Sequence, residues 1–209
     1  MTETPKEQAI RYDSDGLVPC VVQDSRTGEV LTLAYMNEEA YRLTLETREV
    51  HFWSRSRQEL WRKGETSGNT LALSTLRIDC DGDALVALAT PAGPACHTGE
   101  RSCFFRDAES GEAPEPALHE TLVELERTLR LRQEERPEGS YTVELLDHTE
   151  LIGAKVREEA EEVIRAARSE SDERVASEAA DVLYHLSVLL RSRDVALADV
   201  LEVLDERRA

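Results

Sequence analysis

The sequence predicts two domains of different class, an α+β domain followed by an all-α domain, and three observations predict it. Residues 17–105 carry short runs rich in β-branched and aromatic residues, punctuated by Gly, Pro, Asn and Asp. From Leu118 onward the apolar residues recur at three- and four-residue steps, the period of one helix face. Between the two, residues 106–117 are polar, hold Gly111, Pro114 and Pro116, and show no apolar period. The boundaries follow as a first domain over 1–111, a linker over 112–117 and a second domain over 118–209.

The expected strands are 18–23, 30–35, 50–54, 71–79 and 84–89. One helix interrupts them over 37–46, where Asn37 can cap a first turn that carries Glu38 and Glu39. In the second domain Leu118, Leu122, Leu125 and Leu129 form one helical stripe, and Pro137, Gly139 and Ser140 end it. Residues 149–168 and 173–192 read as two longer helices and 197–207 as a short terminal one. A helical domain of about ninety residues is near the small end of stable single cores, so it stands to gain burial by dimerising.

Composition sets the partners. A formal charge of −18 and a pI near 4.7 argue against nucleic-acid binding, which needs a basic patch to neutralise phosphates. An acidic protein that handles phosphorylated substrates would instead use divalent cations as bridges. The N-terminal Met-Thr-Glu-Thr-Pro-Lys-Glu-Gln lacks the apolar core of a secretion signal, and no run of about eighteen apolar residues occurs. These readings place the protein in the cytoplasm, away from membranes. Four cysteines in a reducing compartment are then read as metal ligands or catalytic groups rather than as a disulfide framework.

The string Asp79-Cys80-Asp81-Gly82-Asp83 surrounds one thiol with three carboxylates. Read as extended chain, it sends Asp79, Asp81 and Asp83 to one face and Cys80 to the other. Carboxylates suit Mg²⁺ and a thiolate suits Zn²⁺; a solvated Asp-Gly turn is the other reading of the same string. An EF-hand is excluded, because Gly82 falls at position four of the loop and Thr90 at position twelve. Further on, Cys96-His97-Thr98-Gly99-Glu100-Arg101-Ser102-Cys103 places two cysteines around a histidine, with Cys80 available as third ligand. Three protein ligands and an open position make a catalytic zinc, which lowers the pKa of bound water toward about 7. His97 is placed to act as general base or to order that water, although a structural role would also suit a histidine beside a cysteine. Cys20, after Pro19, reads as an ordinary small buried side chain.

The blocks HFWSRSR at 51–57, LWRKGETSGN at 60–69, DCDGD at 79–83 and CHTGERSCF at 96–104 closely resemble the phosphoribosyl-AMP cyclohydrolase family, in family order from about Leu17 to Phe105. The resemblance implies that Cys80, Cys96 and Cys103 bind Zn²⁺ and that Asp79, Asp81 and Asp83 bind Mg²⁺. It also implies a homodimer whose zinc site takes Cys80 from one subunit and the other two cysteines from its partner. Opening an adenine ring at N1–C6 needs a nucleophilic water at neutral pH, which agrees with the zinc reading. Arg55, Arg57 and Lys63 are candidates for the substrate's phosphates, since guanidinium and ammonium groups match phosphate oxygens; solvated surface charge is the other reading. Trp53 in the same block is a further candidate substrate contact. Ser67, Gly68 and Asn69 can bring amides to phosphate or ribose, and a plain tight turn needs the same residues.

In the helical domain, Lys155-Val-Arg-Glu-Glu-Ala-Glu-Glu-Val163 packs four glutamates into five positions. Glu158, Glu159 and Glu162 are related by three- and four-residue steps and can converge, whereas Glu161 points further round. On the next helix Glu178 and Asp181 sit three apart among Ala179, Ala180, Val182 and Leu183, where acids are costly to bury without a balancing cation such as Mg²⁺. An acidic solvent-facing surface is the alternative. The pattern Glu-Glu-x-x-Glu followed by Glu-x-x-Asp, with Gly139-Ser-Tyr-Thr142 before and Ala180-Asp-Val-Leu-Tyr-His185 after, resembles phosphoribosyl-ATP pyrophosphatase over about Leu118 to Val203. That resemblance implies Mg²⁺ on Glu158, Glu159, Glu162, Glu178 and Asp181, and attack of water between the α- and β-phosphates. Lys155 is read equally as a phosphate contact or as a helix salt bridge. Arg157 stands where the family often has a small residue. Two other readings, a helical half reduced to a dimerisation module and a structural zinc protein, are weaker: both acid clusters are intact, and a closed zinc site would want a fourth Cys or His.

Overall fold

Strand β1 (Val18–Asp24) buries every second side chain, Val18, Cys20, Val22 and Asp24, as a strand covered on one face should. In the computed structural model, which describes residues 10–208, it turns at residues 25–29 into antiparallel β2 (Val30–Met36). The Asp24 carboxylate accepts the amides of Arg26 and Thr27 and so shapes that turn. Helix α1 (Glu38–Thr47) starts at Asn37, whose side chain accepts the Ala40 amide at 2.8 Å. The hairpin β3 (His51–Ser54) and β4 (Glu59–Arg62), then β5 (Leu71–Ile78) and β6 (Leu85–Pro91), complete a six-stranded sheet of order β4-β3-β2-β1-β6-β5. All pairings are antiparallel except β1 with β6. Its core gathers Phe52, Leu31, Met36, Leu71, Leu85, Val18, Val22 and Val50, all at most 2% exposed.

The second unit begins with a 3-10 turn and α2 (Thr121–Glu135), followed by α3 (Tyr141–Asp147), α4 (Thr149–Ser169), α5 (Asp172–Arg191) and α6 (Leu197–Glu206). Only residues 170–171 separate α4 from α5, so the two pack as a helical hairpin, and Ser171 caps α5 by accepting the Arg174 amide. Its fully buried core is small, Leu129, Leu145, Ile152 and Val188, while Ile164, Leu183, Leu201, Val203 and Leu204 stay exposed. By internal packing the chain divides at Glu115/Pro116. Among the described residues no helix is long and apolar enough to cross a membrane. The N-terminal octet, read above as lacking a leader core, lies outside the described residues.

The α+β and all-α classes are as expected, and three details correct the sequence reading. Strand β4 was not expected: Leu60 and Trp61 are adjacent apolar residues with no alternation, and pairing with β3 supplies the order that local pattern lacks. Helix α3 follows the Gly139-Ser140 break at once, and its seven residues are too few for a period to show; burial of Thr142 and Leu145 holds it. The segment 79–83 is not extended. It is the β5–β6 turn, in which Asp79 Oδ1 accepts the amides of Gly82, Asp83 and Ala84 at 2.9, 3.0 and 3.3 Å.

Gly64 carries a backbone requirement, with φ +83° and an added Cβ only 2.4 Å from Asn69 C and O and Thr70 N. Gly64→Ala is expected to destabilise the first unit by at least ~2 kcal/mol, since both a left-handed backbone and a backbone clash oppose the methyl group. Both tryptophans, Trp53 and Trp61, lie in this unit, so the urea midpoint of tryptophan fluorescence reads it selectively. An unchanged midpoint would show that the 63–69 loop can open at no cost.

Candidate active sites

Strand β6 separates the two metal-like motifs of the first unit. The DCDGD turn precedes its first residue and the CHTG loop follows its last, so a strand of roughly 20 Å lies between them. The Asp79, Asp81 and Asp83 carboxylates come within 4.8 Å of one another. They are grouped by the turn rather than by strand alternation. Desolvation opposes ionisation of Asp79, but the amides of Ala84 and Gly82 hold its carboxyl below the usual range. The neighbouring Asp81 charge, with desolvation, raises Asp83. Arg11 pairs with Asp81 at 3.6 Å.

At the other end, the CHTG loop closes on itself through Cys96 N to Glu100 O and Ala95 N to Arg101 O. Its continuation docks on β2, with Cys103 N donating to Leu31 O at 2.7 Å and Ser102 Oγ to Val30 O at 2.7 Å. The Cys96 thiol is drawn below its ordinary value by the Thr98 hydroxyl, 3.0 Å from Sγ. The Cys103 thiol is raised by desolvation, and the two thiols interact with each other. Cys80 does not join them: among the described residues no group of three metal-binding side chains includes a cysteine. Among the described residues no disulfide forms, and burial pushes Cys20 to about 12, an inert thiol inside the core as expected.

A cleft of about 560 Å³ brings Arg57, Lys63, Ser67 and Asn69 together with Cys96 and His97, and Trp61 and Arg62 line it too. His97 is exposed there, its Nδ1 3.9 Å from Cys96 Sγ. Trp53 and Arg55 fall in an adjoining cleft of about 440 Å³ that shares Arg57 and Trp61. Arg55 is committed to the Tyr35 ring at 3.9 Å, and Arg57 to Glu59 at 3.2 Å.

In the second unit the α4–α5 hairpin brings Glu159, Glu178 and Asp181 within 4.8 Å of one another. Glu178 is only 2% exposed, and the Arg174 guanidinium, four residues back on α5, pairs with its Oε1. Burial raises this carboxyl against the attraction of Arg174. A buried carboxylate beside two further acids, with one guanidinium against it, is an excess of negative charge that fits a hard divalent cation. Glu162 interacts with Glu178 and is bonded to Arg165 at 3.1 Å, which lowers its carboxyl. Glu158 does not converge: it is exposed and bonded to Lys155 at 2.8 Å, so Lys155 is in its salt-bridge role here. Glu161 is exposed, as expected.

Sequence reasoning quoted Tyr141 and His185 within their motifs but gave them no role, and it passed over Arg174. His185 is buried, with Nδ1 donating to Asp181 O at 2.9 Å and Nε2 3.2 Å from the Tyr141 hydroxyl, while Glu159 lies 3.8 Å away. Its four-residue step from Asp181 was the available signal, since such a step shares a helix face.

Residues 32–105 match the phosphoribosyl-AMP cyclohydrolase family and residues 122–208 the phosphoribosyl-ATP pyrophosphohydrolase family. The chain is 52% identical to the histidine biosynthesis bifunctional protein HisIE of Bacillus subtilis strain 168, over 96% of this chain and 95% of the relative. It is 50% identical to the protein of that name from Thermus thermophilus, over 95% and 92% of the two chains. The corresponding protein of Photobacterium profundum is 49% identical over 92% and 93%.

Proposed function

The chain belongs to the family of bifunctional histidine-biosynthesis proteins that join a phosphoribosyl-AMP cyclohydrolase to a phosphoribosyl-ATP pyrophosphohydrolase, and from that premise we propose how its residues divide the two reactions. It is a hydrolase with both activities on small phosphorylated substrates of that pathway, and its acidic groups are able to bind metal ions. The helical unit acts first, cleaving phosphoribosyl-ATP between the α- and β-phosphates to give phosphoribosyl-AMP and pyrophosphate. The sheet unit then opens the adenine ring, water adding its oxygen to C6 as the N1–C6 bond breaks and N1 gains a proton. We assign 1–111 and 118–209 to these units and 112–117 to the linker; the packing break at Glu115/Pro116 supports that division.

Glu159, Glu178 and Asp181 would hold Mg²⁺ in the helical unit, with Glu162 beside Glu178 and Glu158 beside Lys155 as the remaining acids that would serve it. Cys96 and Cys103 hold Zn²⁺ with Cys80 of a second copy, and the length of β6 between these thiols in one chain supports a site shared across a homodimer. Asp79, Asp81 and Asp83 hold a further Mg²⁺. Zinc with an open position makes water acid enough to attack near neutral pH. His97 faces the same cleft and takes or orders the proton of the attacking water. Arg57 and Lys63 grip phosphate, Ser67 and Asn69 shape the ribose and phosphate end, and Trp53 and Arg55 extend the surface. The protein works in the cytoplasm, in keeping with its biosynthetic relatives.

The observation that carries this reading is one contrast between units: the first sets the Cys96 thiol and His97 in a cleft with Arg57 and Lys63, and the second sets three carboxylates, Glu178 among them buried, between two helices. Thiolates hold zinc far more tightly than carboxylates hold Mg²⁺, so the metals are separable. After dialysis, about one zinc per chain is expected to remain. Given phosphoribosyl-ATP and Mg²⁺, this protein should release pyrophosphate and open the ring, the two followed separately. A thiol-competing zinc chelator should then silence ring opening alone. Freshly purified protein that lacks zinc yet opens the ring at full rate would overturn the assignment.

A further inference from the structure

The Asn69 side chain lies against the backbone of Gly93. A Cβ on Gly93 would stand 2.4 Å from Asn69 Oδ1 and 3.0 Å from its Cγ, closer than side chains tolerate. Gly93 is not among the residues of positive φ, so it is space rather than backbone conformation that requires a glycine. The contact joins two loops. Residues 63–70 carry Lys63 and Ser67, and residues 92–99 carry Cys96 and His97, all lining the larger cleft of the sheet unit. The loops leave the β5–β6 ladder side by side, with Leu71 opposite Pro91 and Ala92 N donating to Thr70 O at 2.9 Å.

We propose that Gly93 is a positioning residue for ring opening, presenting bare backbone to Asn69 and thereby setting the phosphate-side loop at a fixed distance from the loop that carries Cys96 and His97. The proposal rests on the assignment of ring opening to this cleft. A substrate held at its phosphate by one loop and attacked at its base by the other is sensitive to the spacing between them. Misplacement by about 1 Å can cost about a hundredfold in rate. Gly64 makes the instructive comparison: an added Cβ there meets backbone atoms, which cannot step aside. At Gly93 it meets the end of a side chain, which can rotate away. Gly93→Ala should therefore fold and lose only the Asn69 contact.

The test is a double-mutant cycle in the full-length, zinc-loaded protein, with phosphoribosyl-AMP as substrate. Gly93→Ala should lower kcat/KM for ring opening at least ~10-fold, mainly through kcat, while pyrophosphate release and the tryptophan urea midpoint stay near wild type. On an Asn69→Ala background the same change should cost less than ~2-fold, because the neighbour through which Gly93 acts is gone. Wild-type kcat/KM in Gly93→Ala, or an equal loss on both backgrounds, would overturn the proposal. Should Gly93→Ala alone fail to fold, the double variant decides: folding with the activity of Asn69→Ala supports the proposal, and failure to fold refutes it. Failure of the cleft assignment would show separately, as ring opening that survives Cys96→Ala, and would take the proposal with it.

Discussion

Cys103→Ala is expected to reduce ring opening at least ~100-fold while pyrophosphate release stays within about twofold of wild type, because a three-thiolate site loses one ligand and the helical unit keeps its own core. The position suits the test. Cys103 is anchored through its backbone, N to Leu31 O at 2.7 Å, and an alanine keeps that bond. Its side chain is exposed at the edge of β2, so truncation leaves no interior cavity and the core around Phe52 and Leu31 is untouched. The tryptophan urea midpoint should hold, and zinc content should fall. The contrast with Cys20 sharpens the point: that thiol is fully buried, pushed to about 12, and replacing it would perturb packing without touching metal. Equal loss of both activities in Cys103→Ala would overturn the division of labour between the units.

Much of this architecture was legible because its signals are local. The alternation Val18, Cys20, Val22 declares a one-face strand, and Asn37 ahead of two glutamates declares a helix start; both are fixed by residues within one turn of themselves. Strand β4 and helix α3 were not legible, since each is held by partners distant in sequence or by burial of two side chains, which no short window contains. The same distinction runs through the sites. The three aspartates do converge, but a turn built on Asp79 Oδ1 brings them together, and hydrogen bonds from amides three to five residues on are invisible to a period-two reading. Glu158 satisfies helical spacing as well as Glu159 does, yet Lys155 competes for it and solvent surrounds it. Spacing gives the face of a helix; what lies opposite that face selects which acid is buried. Helix α5 lies opposite Glu159, and only across that packing does His185 come within 3.8 Å of it, whereas Arg174 reaches Glu178 along α5 itself.

Glu159→Gln and Asp181→Asn are expected to lower pyrophosphate release at least ~100-fold and to leave ring opening of supplied phosphoribosyl-AMP within about twofold, since charge that balances a divalent cation is removed with little change in shape. Stability supplies the control that separates a functional cluster from a structural one. Three carboxylates within 4.8 Å, one of them Glu178 at 2% exposure, repel each other, and Arg174 beside Glu178 offsets only part of this, since burial and the neighbouring acids still raise that carboxyl. Neutralising one relieves that repulsion, so the metal-free variants should melt no lower than metal-free wild type, and activity is lost without loss of fold. Mg²⁺ should raise the melting temperature of the helical unit in wild type, because it binds the native cluster and not the unfolded chain, and should raise it less in either variant. A variant that released pyrophosphate at the normal rate would reduce the cluster to surface charge. A variant that lost activity together with several degrees of melting temperature, and kept the full Mg²⁺ response, would make Glu159 or Asp181 a support for the α4–α5 hairpin and move the metal elsewhere.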